Sequence, residues 1–171
     1  MLLLPVAAAG QIRGYGDWDG RAVDNSSQFA LRLLAVHNAE RSRTGAAPLV
    51  WNFVLARNAE GWARTLATRG LLEHSPVSAR PGQGENLFLG TAGAYSLEEM
   101  IGAFLSERRD FRPGVFPEVS RSGRWQMVAH YTQIIWRGTS EVGCAMASGR
   151  GRDILVCRYS PPGNVLGQRV P

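Results

Sequence analysis

Residues Ala129–Arg137, AHYTQIIWR, form the stretch on which the expected fold depends most. Aromatic, β-branched and apolar residues fill it, a composition that is typical of a buried β-strand. The stretch nevertheless has a histidine as its second residue, and the whole chain contains only three histidines. Because functional side chains are often placed where an element begins, we predict a core strand whose start faces a site.

Two further strand-like segments follow, at 142–148 and 153–160, and short glycine-containing turns separate all three. Short connections favour antiparallel pairing of such segments. Helices that precede strands indicate an α+β fold with the helices packed on the sheet. The upstream patterns predict three helices, at about 29–43, 52–68 and 96–110. They also predict one short apolar segment at 86–89.

Local signals mark the ends of these helices. Polar residues at 25–27 are expected to cap the first helix. Gly70 is expected to end the second helix in the left-handed conformation. Ser96 and Glu99 have the spacing of a capping box at the start of the third helix.

The amino-terminal part of the chain is interpreted separately from the domain. With 171 residues the chain is long enough for one domain with a substantial core, which we place at 27–171. Residues 1–26 are read as a signal remnant and an irregular lead-in, because MLLLPVAAAG resembles the end of a signal peptide. A disordered tail is the alternative. We therefore expect a secreted or periplasmic protein, and the lack of an eighteen-residue apolar run predicts no transmembrane helix.

The positive charge of the chain comes entirely from arginine. All 19 basic residues are arginines, and the formal net charge is +5. Such a surface can meet anionic membranes, polysaccharides or nucleic acid, although a solvated arginine-rich surface is the simpler interpretation. Because no aromatic-interleaved basic run or nucleic-acid motif occurs, we predict no nucleic-acid partner.

The two cysteines lie on the last two predicted strands. If the hairpin turns at Arg150-Gly151, Cys144 and Cys157 face each other directly. Their Cβ atoms would then lie about 4.5–5.5 Å apart. A disulfide and a pair of reduced, buried cysteines both fit this arrangement, and the pattern does not choose between them.

Of the three histidines, two stand where sites are usually built. His74 follows the second helix, and His130 begins the first predicted strand. His37 lies within the first helix, and we interpret it as a packing or capping residue.

Two glutamates differ from the solvated acidic residues. Glu85 lies between a glycine and an apolar segment, a junction where a carboxylate is often held by the backbone. Glu107 shares a helix face with Phe104 and Phe111. A carboxylate on an aromatic face is either functional or an isolated surface exception, and periodicity alone leaves both open.

Together these segments resemble the CAP superfamily, which contains the cysteine-rich secretory proteins, insect antigen 5 and the plant pathogenesis-related-one proteins. The resemblance covers about residues 29–166, and HYTQ-x-x-W followed by C-x-Y-x-P-P-G-N is its most specific part. Most cysteines of the eukaryotic members are absent, as in a bacterial-type member. The matching segments, in family order, are HNAER (37–41), HS (74–75), GEN (84–86), HYTQIIWR (130–137), VGCA (142–145) and CRYSPPGN (157–164).

The resemblance implies a three-layer α-β-α sandwich with a central antiparallel sheet. It also implies a central cavity lined by His74, Glu85, Glu107 and His130. Two imidazoles and two carboxylates suit zinc or another divalent cation, with His74 and His130 as ligands. Two histidine ligands predict an exchangeable ion. The same motifs leave His37, Asn38 and Arg41 as structural residues of the first helix.

For function, the resemblance favours a binding or interaction module over an enzyme. Its ligand would be a lipid, a sterol, an envelope component or a partner protein. Apolar loop residues either line a lipid site or pack beneath their loops; they are Leu87, Phe88, Phe116 and Trp125. A cluster of Arg108, Arg109 and Arg112 would steer the protein to an anionic envelope surface.

A metal-dependent hydrolase or protease is the alternative function of the same cavity. Metal-bound water with Glu85 or Glu107 as the base would carry the reaction. The absence of an HExxH motif and of a recognised nucleophile motif argues against this function.

Overall fold

The computed structural model describes residues 25–171, so the predicted signal remnant and nearly all of the lead-in lie outside the described residues. Short 3₁₀ turns occur at Val77–Ala79, Glu107–Arg109 and Trp125–Val128. The helices are α1 (Asn25–Arg43), α2 (Phe53–Arg69), α3 (Leu97–Ser106) and α4 (Ala129–Ile135). The strands are β1 (Val50–Trp51), β2 (Gly84–Thr91), β3 (Gly114–Val115), β4 (Glu141–Gly149), β5 (Arg152–Ser160) and β6 (Arg169–Val170).

A four-stranded sheet in the order β1-β4-β5-β2 forms the middle layer. Strands β2, β4 and β5 pair antiparallel, and only the two-residue β1 runs parallel to its neighbour β4. The short strands β3 and β6 form a separate antiparallel pair. The predicted α+β class and the antiparallel character of the main sheet are therefore confirmed.

Apolar side chains cover both faces of this sheet, which gives three layers. Helix α2 packs on one face, where its small residues Ala59 and Ala63 meet Ile154 and Val156 of β5. Helices α1, α3 and α4 cover the other face in a larger cluster that includes Leu33, Met100, Ile134, Leu155 and Tyr159. The three-layer α-β-α sandwich is thus the observed architecture.

The predicted signals at Gly70 and Ser96 are confirmed, whereas the predicted cap of the first helix is not. The Asn52 side chain accepts hydrogen bonds from two amides of the first turn of α2, and Gly70 ends that helix with φ 71°. Ser96 and Glu99 form the predicted capping box at the start of α3. Helix α1 begins at Asn25, so the residues expected to precede it lie inside its first turn.

The prediction of a strand at Ala129–Arg137 is wrong, because Ala129–Ile135 forms helix α4. Residues 131–135 are all buried, and a continuous apolar run does not distinguish a buried strand from a buried helix. The helix also has no cap of its own in the sequence. Instead, the Glu107 carboxylate accepts hydrogen bonds from the backbone N–H groups of His130 and Tyr131, a contact between distant segments.

The alternative left open for the cysteines is resolved by the β4–β5 hairpin. Arg150 and Gly151 both have positive φ angles, 53° and 72°, as a tight two-residue turn requires. Cys144 and Cys157 are direct partners in the register, with Cα atoms 4.1 Å apart, and they form a disulfide. The predicted turn and the predicted pairing are both confirmed.

Candidate functional site

The first histidine–glutamate pair joins the loop after α2 to the start of β2. His74 Nδ1 lies 2.6 Å from Glu85 Oε1. The Glu85 side chain is fully buried, whereas 55% of the His74 side chain is exposed. The sheet therefore holds the carboxylate in place, and the imidazole extends from it towards solvent.

Four donors surround the Glu85 carboxylate. Oε1 accepts from His74 and from the Ser75 backbone N–H at 3.0 Å. Oε2 accepts from Ser75 Oγ at 2.9 Å and lies 3.0 Å from Arg158 Nη2. Because a carboxylate offers about four acceptor positions, this carboxylate has none left.

The charge of Glu85 is stabilised in spite of its burial. Burial alone would raise the pKa of Glu85. Hydrogen bonding to His74, the charge of Arg158 and the two donors of Ser75 outweigh that effect and hold the pKa below its ordinary value. Glu85 is therefore a fixed anion at neutral pH.

Arg158 is the buried counter-ion of this pair. It lies on β5 directly opposite Glu85 in the strand register, and its side chain is 2% exposed. Burial lowers the pKa of Arg158, and the adjacent Glu85 charge opposes that shift. Its Nε and Nη1 atoms have no hydrogen-bond partner among residues 25–171, so Glu85 is the main group that compensates its burial.

The second pair joins the end of α3 to the start of α4. His130 Nδ1 lies 2.6 Å from Glu107 Oε1, and Oε2 accepts the two α4 backbone N–H groups at 3.0 and 3.1 Å. The Phe104 ring stacks on the His130 ring with centroids 4.8 Å apart. Glu107 is thus a positioned group and not an isolated surface exception. Its carboxylate accepts three hydrogen bonds and remains partly exposed.

Each pair leaves one imidazole nitrogen available. A carboxylate only accepts, so the proton between each pair is assigned to Nδ1, and Nε2 of the neutral ring carries a lone pair. Neither Nε2 atom makes a hydrogen bond within residues 25–171. A carboxylate on the far nitrogen is the usual support of a metal-ligating histidine.

The donor atoms of the two pairs do not have the arrangement of a closed metal site. No group of three or more histidine, cysteine, aspartate or glutamate side chains gathers at metal-binding distance in the described part of the chain. The described residues therefore form no protein cage for an ion, and each pair offers a single Nε2 donor. The four residues of the predicted cavity are brought together as two pairs. Asn86 links the pairs, because it follows Glu85 in the chain and donates to the His130 carbonyl oxygen at 3.1 Å.

The third histidine has the structural role that was predicted for it. His37 Nδ1 donates to the Leu33 carbonyl oxygen at 2.7 Å, so its Nε2 accepts from the Tyr159 hydroxyl at 2.9 Å. Burial lowers the pKa of His37 to about 4. The hydrogen bond to the Leu33 carbonyl opposes this shift, and the Arg41 charge adds to it. His37 is consequently neutral at physiological pH.

Arg41 and Asn38 of α1 are also structural, as predicted. Asn38 exchanges two hydrogen bonds with the backbone of Leu49. Burial lowers the pKa of Arg41 to about 10, while the side chain still carries its charge at neutral pH. Its guanidinium donates to four carbonyl oxygens, those of Ala47, Ile134, Trp136 and Thr139.

Three of the four apolar residues predicted in loops pack inside the fold, and two of them, Leu87 and Phe88, lie in strand β2 and not in a loop. Leu87 and Phe116 are buried, and Phe88 is partly buried against Tyr95. Trp125 packs against Phe116 but stays 37% exposed. Of these residues, only Trp125 presents substantial apolar surface to solvent.

Two arginines of the predicted cluster of Arg108, Arg109 and Arg112 form ion pairs within the fold. Arg108 lies 3.4 Å from Glu40, and Arg112 lies 3.9 Å from Glu118. Arg109 is exposed.

An open depression of about 480 Å³ lies away from both pairs, between the end of α2 and the β4–β5 hairpin. Its polar lining residues include Arg64, Thr68, Ser148 and Arg150, and none of its lining residues belongs to either pair. Arg64 is bound by Glu60, and Arg150 donates to the Thr68 carbonyl oxygen. The depression is therefore not assigned to the candidate site.

Three residues of the site were missed from the sequence: Ser75, Asn86 and Arg158. Arg158 carried a usable signal, because a charged residue inside the apolar strand ILVCRYS needs a buried partner. Ser75 and Asn86 are neighbours of predicted site residues, and only the fold shows which atoms they contact.

Comparison with known proteins identifies relatives over most of the chain. The family model described as CAP: Cysteine-rich secretory protein family matches residues 34–159. "Pathogenesis-related protein PR-1 type" of Sambucus nigra is 33% identical over 134 residues, which are 78% of this chain and 76% of that protein. "Secreted protein RBT4" of Candida albicans is 32% identical over 164 residues, 94% of this chain and 41% of that protein.

Solved structures show the same fold. The structure titled "Crystal structure of NaASP2 with Zn2+" aligns with a TM-score of 0.71 at 22% identity. The alignment covers 91% of this chain and 88% of that chain. None of the helices in residues 25–171 is both long enough and apolar enough to cross a membrane.

Proposed function

This chain belongs to the cysteine-rich secretory protein family, and on that premise we propose that it is an exported binding module whose two histidine–glutamate pairs hold a divalent cation. The observation that carries the proposal is the shared geometry of the pairs. In each, a glutamate oxygen lies 2.6 Å from Nδ1, and Nε2 is left without a partner in the described residues.

Export is supported by three independent features. The amino-terminal MLLLPVAAAG resembles the end of a signal peptide. The disulfide between Cys144 and Cys157 suits an oxidising compartment. A relative whose alignment covers 94% of this chain, at 32% identity, is named a secreted protein. These features support secretion or a periplasmic location of the folded domain.

In this proposal His74 and His130 bind zinc or a similar cation through Nε2. Glu85 and Glu107 fix the orientation of the imidazoles and supply negative charge beside them. Water completes the coordination, so the ion exchanges readily. Because protons compete with the cation for the imidazole nitrogens, binding weakens as the pH is lowered.

The two carboxylates have different capacities in this proposal. Glu85 is buried, and three hydrogen bonds and the Arg158 ion pair occupy its carboxylate, so it acts only as a support. Glu107 accepts three and is partly exposed, so one acceptor position remains. Glu107 is the carboxylate that can contact an ion, its water or a ligand.

Ligand identity is proposed at the level of class. The family resemblance supports a lipid, a sterol or a partner protein. The cation would then serve as a polar contact for the head group of the ligand.

The direct test is isothermal titration of metal-stripped protein with zinc at about pH 7.5. We expect saturable binding that is lost in the His74→Ala/His130→Ala double variant. Glu73→Ala is the matched control, because it removes the exposed carboxylate next to His74 and keeps both imidazoles. Equal binding by the wild type and the double variant, or no binding by the wild type, would refute the proposal.

Hydrolysis is the second candidate function, and the free acceptor position of Glu107 is the observation that favours it. A general base of this kind contributes about 10²–10⁴-fold to a rate. Zinc-dependent cleavage of an ester or peptide, measured at saturating zinc, should therefore fall by that factor in Glu107→Gln. Saturation is needed because the substitution also weakens the support of His130. Unchanged turnover in Glu107→Gln, or no zinc-dependent turnover in the wild type, would remove this candidate.

A further inference from the structure

The loop before α4 is exposed along its whole length. Residues 121–127, RSGRWQM, are all exposed, and we refer to them as the Trp125 loop. Trp125 is 37% exposed and Met127 is 48% exposed. The loop thus presents two large apolar side chains among polar and cationic neighbours.

The loop is anchored at both ends. The Trp125 ring meets the buried Phe116 ring edge-on, with centroids 5.3 Å apart. At the other end, the Ser122 N–H and hydroxyl both donate to the Asp110 carboxylate. The exposed part of the indole is therefore held in a defined position on the surface.

Unpaired positive charge accompanies these apolar side chains. Within the described residues, the guanidinium groups of Arg121 and Arg124 form no direct hydrogen bond or close ion pair, although the Arg121 charge helps to lower the pKa of Asp110, after the hydrogen bonds from Ser120 and Ser122. Between Arg108 and Arg137 the chain has six arginines but only two acidic residues, Asp110 and Glu118. This stretch carries most of the net positive charge of the protein.

We propose that the Trp125 loop docks the protein on an anionic phospholipid membrane. Tryptophan favours the interface between head groups and acyl chains, and Met127 would enter the same layer. Arg121 and Arg124 would contact lipid phosphates, each strengthening binding by about fivefold. Two apolar side chains are too few for a stable protein–protein interface, which takes roughly 800 Å² from each partner. A fluid bilayer accommodates so small a wedge.

Docking by this loop would bring the second histidine–glutamate pair to the membrane. Met127 is followed by Val128 and then by α4, whose second residue is His130. A ligand leaving the bilayer beside the loop would meet this side of the candidate site first. The docking surface itself requires no metal, so it can fail or succeed independently of the proposed cation site.

The experiment is vesicle co-sedimentation of the metal-free protein. Vesicles of phosphatidylcholine alone are compared with an equal mixture of phosphatidylcholine and phosphatidylglycerol, at low and high salt. We expect binding only to the anionic vesicles, weakened by salt because part of the attraction is electrostatic. Trp125→Ser/Met127→Ser and Arg121→Gln/Arg124→Gln should each reduce the affinity by at least tenfold.

Matched pairs elsewhere on the surface serve as controls. Phe53→Ser/Val54→Ser changes two apolar residues at the start of α2 that are more exposed than Trp125 and Met127. Arg57→Gln/Arg152→Gln removes two exposed arginines distant in sequence from the loop. Neither control pair should change vesicle binding by more than about twofold, apart from the general effect of lost charge.

Two outcomes would overturn the proposal: no binding to anionic vesicles, or equal losses in the loop variants and their controls. The second outcome would mean that net charge alone attracts the protein. Loss of the Trp125 ring contact could lower stability, so thermal unfolding of each variant is recorded. The arginine variant does not alter that contact and keeps the test decisive if the tryptophan variant unfolds.

Discussion

The two histidine–glutamate pairs look alike at the imidazole but differ at the carboxylate. Glu85 is enclosed by the sheet and faces a buried guanidinium, whereas Glu107 accepts two backbone N–H groups at the surface. A buried charge that loses its partner is far more costly than a surface hydrogen bond that is weakened. The same substitution should therefore have unequal effects at the two positions.

Glu85→Gln should lower the free energy of unfolding by about 3–5 kcal/mol, because it leaves the Arg158 charge buried without a counter-ion. Glu107→Gln should cost about 1 kcal/mol, since the amide oxygen still accepts the backbone N–H groups. Urea unfolding at neutral pH measures both.

Adding Arg158→Met to Glu85→Gln supplies the check on this reasoning. The double variant buries no unpaired charge, so it should recover part of the stability that Glu85→Gln loses. Their 3.0 Å contact implies that Arg158 and Glu85 are energetically coupled. If the stability losses of the two single substitutions simply add in the double variant, they are not coupled.

Sequence reasoning found both imidazoles and both carboxylates of the site, but not the reason for their pairing. His74, Glu85, Glu107 and His130 were located through motifs, and the structure joins them as two pairs. Arg158 was overlooked because its partner lies on a neighbouring strand, 73 positions earlier in the numbering. Contacts set by strand register cannot be read from local pattern.

At the scale of single elements, α4 depends on a neighbour for its start. Its first turn has no side-chain cap of its own, and Glu107 from the turn after α3 takes that role. The β-branched and aromatic composition of HYTQII favours a strand locally. Burial on all sides and the Glu107 contact override that preference, which explains why the strand prediction failed.

Glu107→Ala should therefore fray the start of α4. Loss of a helix cap costs about 0.5–2 kcal/mol. Amide hydrogen exchange at His130 and Tyr131 should become faster, with little change in β4 and β5. Glu107→Gln keeps the acceptor oxygen and should protect both amides nearly as well as the wild type. Equal exchange rates in the alanine variant and the wild type would contradict the assigned cap.

The β4–β5 hairpin is the element that the sequence specified most completely. Its turn at Arg150-Gly151 implied the register, and the register placed Cys144 opposite Cys157. What could not be decided was whether the sulfurs are bonded, because a reduced pair would have the same spacing. The helix ends marked by Gly70 and Ser96 were predictable for a similar reason, since each rests on contacts within a few residues.

Removing the disulfide should destabilise the protein measurably. The closed loop spans a sequence separation of 13, for which the chain-entropy model gives about 3 kcal/mol. Cys144→Ala/Cys157→Ala should therefore unfold at a lower denaturant concentration than the oxidised wild type. Reductant should shift the wild type towards the variant and leave the variant unchanged. A wild type that is insensitive to reductant would show that the bond contributes little.

At the scale of the whole molecule, a buried hydrogen-bond network joins the layers around the site. The Tyr159 hydroxyl of β5 donates to His37 of α1 and accepts from Asn86 of β2. Asn86 also donates to the His130 carbonyl oxygen in α4. The network requires a neutral His37, because its Nε2 must accept the hydroxyl proton. Protonation of His37 would therefore disturb elements on both sides of the candidate site.

The stability of the molecule should consequently fall as the pH is lowered from about 6.5 to 4. The pKa of His37 is about 4 in the folded protein, below its ordinary value of 6.5. The unfolded chain therefore takes up a proton first, and up to about 3 kcal/mol is lost across this window. The depressed pKa of Glu85 adds a further loss once the pH falls below the ordinary range of a carboxyl group. Thermal or urea unfolding across this pH range measures the slope. His37→Gln should be less stable than the wild type at pH 7, and its stability should change less between pH 6.5 and 4. If its stability falls as steeply as that of the wild type, groups other than His37 cause the loss.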